Sequence, residues 1–450
     1  MGPDATAPQP PDRRDEFDRA FDHFRSLLDP AEIDAMQPMG PAAIYTALVT
    51  VWLLIYQRLY GGRPLSDAVD ELLRIDPILL PENRRIRERT LSGNTGAYSQ
   101  ARKRLRPEVT DRLADNIFDS LIAAAPPSLD GRRAFLLDGT TIALASTAAL
   151  KAAFPPASNQ HGTGNWPVAH LLVAHELESG CAIRPEVGPM YGPSAVSEAD
   201  LAMAILPRLP TGSIVLADRN FGIFSVAYAA VDAGHDVVFR LTGARFRALL
   251  RKATLLSQGD GYRTWSLKWT PSGRDRRSHP ELPEDAEVTA RLHEVIVSPE
   301  RSLWLVTTLT CEAPIASGLY RRRLDVETDI RDVKVTLRTE QIEARCEEMV
   351  RKELVASIIA YNLVVQVRRL AAKATGVQPR RLSFRGVLGA VRIVLLEPMC
   401  TTAEGWRERF ELALRIAGQR KIPERPGRSY PRRAIPRRNK STSGSKRPPP

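Results

Sequence analysis

Cysteine is scarce in this chain, and histidine shows no metal-binding pattern. The four cysteines among 450 residues lie far apart, with no Cys-x-x-Cys pair; they are Cys181, Cys311, Cys346 and Cys400. This spacing argues against a zinc site and a disulfide framework, and it fits a reducing cytoplasm. Two of the seven histidines, His170 and His175, fall in a predicted strand. Core or turn roles are favoured for them over metal binding.

Long hydrophobic runs and a signal sequence are also absent. The N-terminus, Met-Gly-Pro-Asp, lacks the basic and then apolar pattern of a secretory signal peptide. The most apolar run, from Ala42 to Tyr56, is fifteen residues long and is interrupted by threonines. A bilayer needs about 20 apolar residues, so this run predicts a buried helix. We therefore expect a soluble protein with no membrane partner.

Positive charge is abundant, and most of it lies in one segment. The net charge is +12 and the pI is about 9.8, which indicates a polyanionic partner. Residues 418–450 contain eleven Lys or Arg and one acid, Glu424, a net +10 that leaves +2 for the rest. This Pro-, Ser- and Arg-rich tail is predicted to be disordered. It could hold nucleic acid through phosphate charge, or it could simply increase solubility.

The N-terminal quarter of the chain has helical periodicity. Residues 1–15 are rich in Pro and Asp, and we predict that they are disordered. Residues 16–128 repeat apolar side chains every three or four positions, which predicts a helical domain. Its last part contains three consecutive cations, Arg102, Lys103 and Arg104. They suit DNA phosphates, which predicts a DNA-binding domain, although charge runs are usually solvated faces.

The pattern changes after residue 133 to short apolar runs that end in turns. We predict strands at 134–138, 168–177, 182–187, 213–218, 236–241 and 302–308. With helices at 197–206 and 224–233, the order is three strands, helix, strand, helix, strand. This is the order of an RNase H-like α/β fold, although periodicity does not exclude other α/β sheets.

The remaining segments complete the predicted organisation. The α/β domain covers 129–375 and is interrupted at 243–301 by a polar, β-rich insertion with strand-like pieces at 262–269 and 288–297. A C-terminal helical region follows at 376–417, and the basic tail comes last.

Two carboxylates stand at predicted strand ends. Asp138 ends the first strand in Leu-Leu-Asp-Gly-Thr, and Asp218 ends a later one in Ala-Asp-Arg-Asn-Phe. Ligands gather at strand ends in α/β sheets. A carboxylate there needs a cation or a hydrogen-bonding partner, because an unpaired charge is costly beside apolar residues. Taken singly, each is more often an ordinary turn residue.

A third carboxylate lies on a predicted helix. At ~100° per residue, four side chains fall within roughly 60° of one another; they are Tyr320, Arg323, Glu327 and Lys334. An apolar stripe beside them lets the helix pack on a sheet. The alternative is a solvated face on which Glu327 pairs with Arg323 and Arg331.

The spacing Tyr-x2-Arg-x3-Glu-x6-Lys resembles the signature of one large branch of bacterial insertion-sequence DDE transposases. The segments around Asp138 and Asp218 are similar to the first two catalytic motifs of that branch. Tyr98-Ser-Gln-Ala-Arg-Lys-Arg and Ala360-Tyr-Asn-Leu look like the family too. The resemblance extends over about residues 16–370.

The resemblance implies a DNA transposase, acting by cut-and-join transposition at terminal inverted repeats. Asp138, Asp218 and Glu327 would be catalytic and would hold two Mg²⁺ or Mn²⁺ ions, with Asp138 bridging them. Tyr320, Arg323 and Lys334 would hold DNA phosphates. The implied partners are double-stranded DNA and a second copy in a homodimer on DNA, with no small-molecule substrate. The implied location is the cytoplasm, at the nucleoid.

Two other functions stay open. The first is another nuclease of the RNase H fold, which would need the carboxylates but not Tyr320, Arg323 and Lys334. The second is a domesticated or inactive transposase kept as a DNA-binding protein. In the insertion, Trp265 and Trp269 could stack on a DNA base, but packing is the favoured role.

Overall fold

The structure is a computed structural model that describes residues 29–40, 42–74, 83–160, 162–339, 342–396 and 403–423. The predictions of disorder at 1–15 and of helix from residue 16 lie outside these residues. Most of the basic tail, from residue 424 onward, lies outside them too.

The first described part of the chain is helical, as predicted. It contains α1 Pro30–Met36, α2 Ala47–Leu59, α3 Leu65–Arg74, α4 Arg84–Arg87, α5 Gly96–Arg104 and α6 Pro107–Ala123. Helix α2 begins within the predicted apolar run and ends three residues beyond it, and the Thr46 hydroxyl caps its N-terminus by accepting from the Val49 amide. Most of α2 is buried, which confirms that this run is a core helix.

A single ten-stranded sheet forms the centre of the protein. Its strands are β1 Ala134–Ala143, β2 Pro156–Asn159, β3 Gly162–Glu176, β4 Glu186–Pro189, β5 Ile214–Ala217, β6 Asp236–Arg240, β7 Ala253–Gly259, β8 Tyr262–Trp269, β9 Val288–Ser298 and β10 Arg301–Thr307. Their order is β2-β3-β1-β5-β6-β10-β9-β8-β7, and β4 pairs with β3. Strands β1, β5 and β6 are parallel to one another, whereas β3 is antiparallel to β1 and β10 is antiparallel to β6. The protein is therefore a mixed α/β structure.

Helices occupy the connections and the C-terminal part. They are α7 Ala148–Ala153, α8 Glu198–Ile205, α9 Phe224–Asp232, α10 Gly243–Leu250, α11 Gly273–Ser278, α12 Ala313–Arg321, α13 Leu324–Arg331, α14 Glu347–Thr375, α15 Phe384–Leu396 and α16 Ala403–Gln419. A π-helical turn, Asp332–Thr336, follows α13. Helix α14 is long and apolar enough to cross a membrane, but 89% of its most apolar window is buried within the protein. It is accordingly placed as a core helix.

The segment predicted as an insertion continues the central sheet. Strands β8 and β9 match the predicted strand-like pieces, and β9 pairs with β10 to join them to the core. Strand β7 and the helices α10 and α11 were not predicted. Most residues of β7 are exposed, so its sequence has no apolar alternation that could mark a strand.

The two faces of the sheet are covered by different helices. Leu136 and Leu216 lie in a buried cluster with Tyr320 of α12 and Val326 of α13. Alternate residues of the same strands, such as Phe135, belong to a larger cluster that includes α2, α6 and α14. Because side chains alternate across a strand, position along β1 and β5 decides which helices a residue faces.

Candidate active site

The register of β1 and β5 places Asp138 beside Asp218. Leu136 pairs with Leu216 in these parallel strands, and each aspartate lies two residues further on. Neighbouring strands are about 4.8 Å apart, and residues two apart share a face. Both carboxylates therefore start from the face that α12 and α13 cover. This arrangement follows from the two apolar runs, each of which ends in an aspartate.

Arg323 connects the sheet aspartates with the predicted third carboxylate. It lies between α12 and α13, and its side chain is only 12% exposed. One guanidinium nitrogen is 3.8 Å from the Asp218 carboxylate, and the other is 3.4 Å from Glu327. The predicted pairing of Glu327 with Arg323 is thus present. The same guanidinium also reaches the strand end, so the helix is not simply a solvated face.

Asp138 has an unusual protonation equilibrium. Burial raises the pKa of its carboxyl to about 6; Arg323 opposes this, while the negative charges of Asp218 and Glu198 add to it. The Gly139 amide donates to the Asp138 carboxylate at 3.1 Å, which also favours the charged form. Carboxylates crowded together with too little positive charge are the expected surroundings of a cation site.

The raised pKa predicts a pH-dependent affinity for metal. Below pH 6 a divalent ion must displace the proton of Asp138, so the affinity falls about tenfold for each pH unit lost. Above pH 6 the affinity levels off. Calorimetric titration with Mn²⁺ from pH 5 to pH 8 measures this, and Asp138→Asn should weaken binding at every pH in that range. An affinity that stays constant between pH 5 and pH 6 would contradict the prediction.

The donor atoms of this site suit a hard divalent cation in kind, since all are carboxylate oxygens. Among the described residues, however, no three His, Cys, Asp or Glu side chains lie close enough together to hold one ion. Glu327 is 47% exposed and turned towards Arg323. Asp138 and Asp218 are thus adjacent, and Glu327 would have to turn towards them to complete a metal site.

Two further residues of the helical signature surround the same centre. Tyr320 is 9% exposed, and burial raises the pKa of its phenol, against the effect of Arg323 and Arg240. Lys334 lies in the π-helical turn, and its ammonium donates to the Thr140 hydroxyl at 3.3 Å. A π-helical turn contains one residue more than an α-helical turn. It therefore changes the direction in which the side chains after Glu327 point. Arg240, at the end of β6, was not recognised from the sequence.

Two aspartates on the same helix serve a different purpose. Asp329 is 1% exposed and accepts from the Arg380 guanidinium at 2.7 Å. A second nitrogen of Arg380 is 3.5 Å from Asp325. Neither aspartate belongs to the helix stripe that Glu327 shares with Tyr320, Arg323 and Lys334. The structure shows that they fix the back of α13 to the C-terminal region, and no local pattern in the sequence indicates that contact.

The three predicted N-terminal cations do not share one environment. Arg102 is 9% exposed and forms an ion pair with Glu353 of α14, which also lies 3.5 Å from Arg58. Lys103 and Arg104 are exposed at the end of α5. Arg102 therefore holds α5 against α14, whereas Lys103 and Arg104 face solvent.

A histidine and two tryptophans for which the sequence favours structural roles are packed inside the protein. His175 is fully buried in β3, and burial lowers its pKa to about 3. Trp269 packs edge-on against Phe224, and Trp265 packs edge-on against Phe246. The packing roles favoured for both tryptophans are confirmed.

Comparisons with known proteins add two findings. The family model described as "Transposase DDE domain" matches residues 129–363, more than half of the chain. Among solved structures, the chain is similar to one described as "Cryo-EM structure of piggyBac transposase synaptic complex with hairpin DNA". That similarity has 10% identity and a TM-score of 0.41, and it covers 95% of this chain and 89% of the other. A comparison with curated proteins gave no match.

Proposed function

The chain belongs to the transposase DDE domain family, and on that basis we propose that it catalyses cut-and-join transposition of an insertion sequence. The DNA substrates are the element's terminal inverted repeats and the target. The observation that carries the proposal is the position of the Arg323 guanidinium. It lies between Asp218 and Glu327, and its charge lowers the pKa of Asp138. It links three carboxylates that are 80 or more residues apart in sequence.

We assign the core to the RNase H-like class. The order β4-β3-β1-β5-β6, with β3 antiparallel and β5 and β6 parallel to β1, supports this. The proposed domains are a helical DNA-binding domain at 16–128, a catalytic domain at 129–375 with an insertion at 243–301, and C-terminal helices at 376–417.

Asp138, Asp218 and Glu327 are the proposed catalytic residues and metal ligands. When bound, two Mg²⁺ or Mn²⁺ ions would activate the attacking oxygen and stabilise charge on the leaving oxygen of an in-line displacement. Asp138 and Asp218 would hold the ions from neighbouring strands, because the register of β1 and β5 puts the two aspartates side by side, and Glu327 would complete the ligand set. The backbone amide of Asn220 donates to the Asp218 carboxylate at 2.8 Å and so fixes the orientation of that carboxylate.

Phosphate contacts are assigned to the cations around these carboxylates. Arg323 would exchange its contacts with Asp218 and Glu327 for a DNA phosphate when metal neutralises those acids. Lys334 contacts Thr140, two residues after Asp138, and Tyr320 lies beside Arg323. In the N-terminal helices we assign DNA phosphate contacts to Lys103 and Arg104, because Arg102 forms a buried ion pair with Glu353.

We further propose that the protein acts as a homodimer on paired DNA ends, in the cytoplasm at the nucleoid. The alternative enzymes are a resolvase and a nuclease that cuts RNA–DNA hybrids, both of the same fold. Neither would require the phosphate-binding set formed by Tyr320, Arg323 and Lys334. A domesticated copy would bind DNA without cutting it.

The decisive test uses DNA that carries the inverted repeats flanking the coding sequence. The protein should nick this DNA in Mg²⁺ and leave a 3′-hydroxyl. Glu327→Gln should abolish nicking and keep DNA binding, because it removes one negative charge and preserves the shape of the side chain. Binding without nicking by the unmodified protein would favour the domesticated alternative.

A further inference from the structure

Glu198 lies behind the strands that carry the two sheet aspartates of the proposed active site. It is the first residue of α8, and Leu201 of this helix belongs to the same buried cluster as Phe135 of β1. Asp138 comes three residues after Phe135 in β1, so it points to the opposite face, where α12 and α13 pack. Glu198 therefore approaches the strand ends from the side of the sheet that the aspartates do not face.

Glycine at position 139 makes room for Glu198. A Cβ atom there would lie 2.5 Å from the Glu198 carboxylate and 3.0 Å from the Cγ of the same side chain, closer than real Cβ atoms come. The φ angle of Gly139 is not positive, so the backbone conformation does not itself require glycine. The glycine that directly follows Asp138 is thus explained by the contact between Glu198 and the backbone.

Asn220 connects Glu198 with the second aspartate. Its side-chain amide donates to the Glu198 carboxylate at 3.1 Å, and its backbone amide donates to the Asp218 carboxylate at 2.8 Å. The residue that orients Asp218 is therefore itself held by Glu198. One carboxylate thus contacts the chain directly after Asp138 and two residues after Asp218.

The Glu198 carboxylate is held in place as an anion. The His170 side chain is 7% exposed; its Nε2 lies 3.9 Å from Glu198, and its Nδ1 lies 3.1 Å from the Val196 carbonyl oxygen. The contact with His170 lowers the pKa of Glu198, and the hydrogen bond from Asn220 adds to this effect against the cost of burial. The N-terminus of α8 also favours a negative charge at this position.

We propose that Glu198 is a positioning residue, which holds the backbone after Asp138 and the loop after Asp218 at a fixed separation from behind the sheet. This inference rests on the proposed function and extends it to a carboxylate that supports the metal ligands without binding an ion. Ligands that share two ions must keep their geometry to within about 0.5 Å, and side chains that support them maintain it.

Hydrogen exchange in the metal-free protein tests the positioning. Glu198→Ala removes the acceptor of the Asn220 side chain, so the Asn220 backbone amide should exchange about 2- to 10-fold faster. Amides of β8 should keep their rates, since β6, β10 and β9 separate this strand from β5. An unchanged rate at Asn220 would overturn the proposal. So would an equal increase in β8, because Glu198 would then support only the fold as a whole.

Calorimetric titration with Mn²⁺ tests whether the positioning matters to the metal ligands. Glu198→Ala should weaken binding about 10- to 100-fold, the usual loss when a partner of a metal ligand is removed. Glu198→Gln should stay within about threefold of the unmodified protein, because its amide can still accept from Asn220 and donate to a neutral His170. Equal losses in the two variants would overturn the proposal, since they would show that Glu198 acts as a ligand or through its charge.

A double-mutant cycle with Gly139 tests the direct contact. Gly139→Ala should weaken Mn²⁺ binding, because the added methyl group displaces Glu198. Gly139→Ala/Glu198→Ala should bind no more weakly than Glu198→Ala, because the displaced side chain is gone. Losses that simply add would show that the two residues act independently, contrary to the proposal.

The matched control is Glu294→Ala, which removes a carboxylate with similar partners far along the sheet. Glu294 accepts from the Trp304 indole at 3.2 Å and lies 3.4 Å from Arg263. Its loss should change neither exchange at Asn220 nor Mn²⁺ affinity, and equal effects of Glu294→Ala and Glu198→Ala would overturn the proposal. If the unmodified protein neither binds Mn²⁺ nor nicks DNA, the proposed function fails. The exchange at Asn220 needs no metal, so the two failures are distinguishable.

Discussion

Asp138→Asn is expected to abolish Mg²⁺-dependent nicking and to make the metal-free protein more stable. The amide loses the charge that a shared divalent ion needs, so the rate should fall by more than the roughly 10–100-fold that loss of an outer-shell partner costs. The stability change has the opposite direction. Because the native pKa is raised to about 6, ionisation of Asp138 above that pH opposes folding, and asparagine removes this cost.

The gain at pH 7.5 should be about 1–3 kcal/mol in the free energy of unfolding, allowing for partial exposure of the side chain. It should disappear below about pH 4, where the carboxyl is protonated in both states. Urea unfolding without metal measures it, alongside Asp260→Asn at the exposed turn between β7 and β8. A destabilised Asp138→Asn protein would mean that the loss of nicking reports misfolding.

Arg380→Met is expected to destabilise the protein by about 3–5 kcal/mol, the usual cost of leaving a buried charge without its partner. Asp329 is 1% exposed and its carboxylate receives the Arg380 guanidinium at 2.7 Å. Asp325 would also lose a partner. Because both aspartates lie on α13, the change should also loosen the helix that carries Glu327 and lower nicking in the protein that remains folded.

The matched control breaks an exposed pair of the same chemistry. Arg415→Met removes the partner of Glu411 on α16, where the arginine side chain is 66% exposed, and it should cost no more than about 1 kcal/mol. Asp329→Leu/Arg380→Met should be more stable than Arg380→Met alone, since the buried carboxylate that lost its partner is removed as well. Equal losses for Arg380→Met and Arg415→Met would show that the buried pair contributes nothing special.

The local elements of the core could be predicted from periodicity alone. The runs before Asp138 and Asp218 are apolar at consecutive positions, as expected of strands that are buried on both faces. The strands β8 and β9 were also found, because they alternate. Strand-end position and the spacing around Glu327 singled out the three carboxylates, and the resemblance of these motifs to DDE transposases implied that they act together. In contrast, β7 was missed because its side chains face solvent and carry no pattern.

The amino-acid sequence by itself determined which carboxylates end strands and which share a helix face, because both depend on repeats of a few residues. Only the tertiary structure decided that Arg323 bridges two of them, that Arg380 clamps α13 and that Arg102 is buried against Glu353. Each of these contacts joins residues 51 to 251 positions apart, or elements whose packing angle no local pattern encodes. Burial and pairing of a charge depend on what the fold brings to it, and that is set by the whole chain.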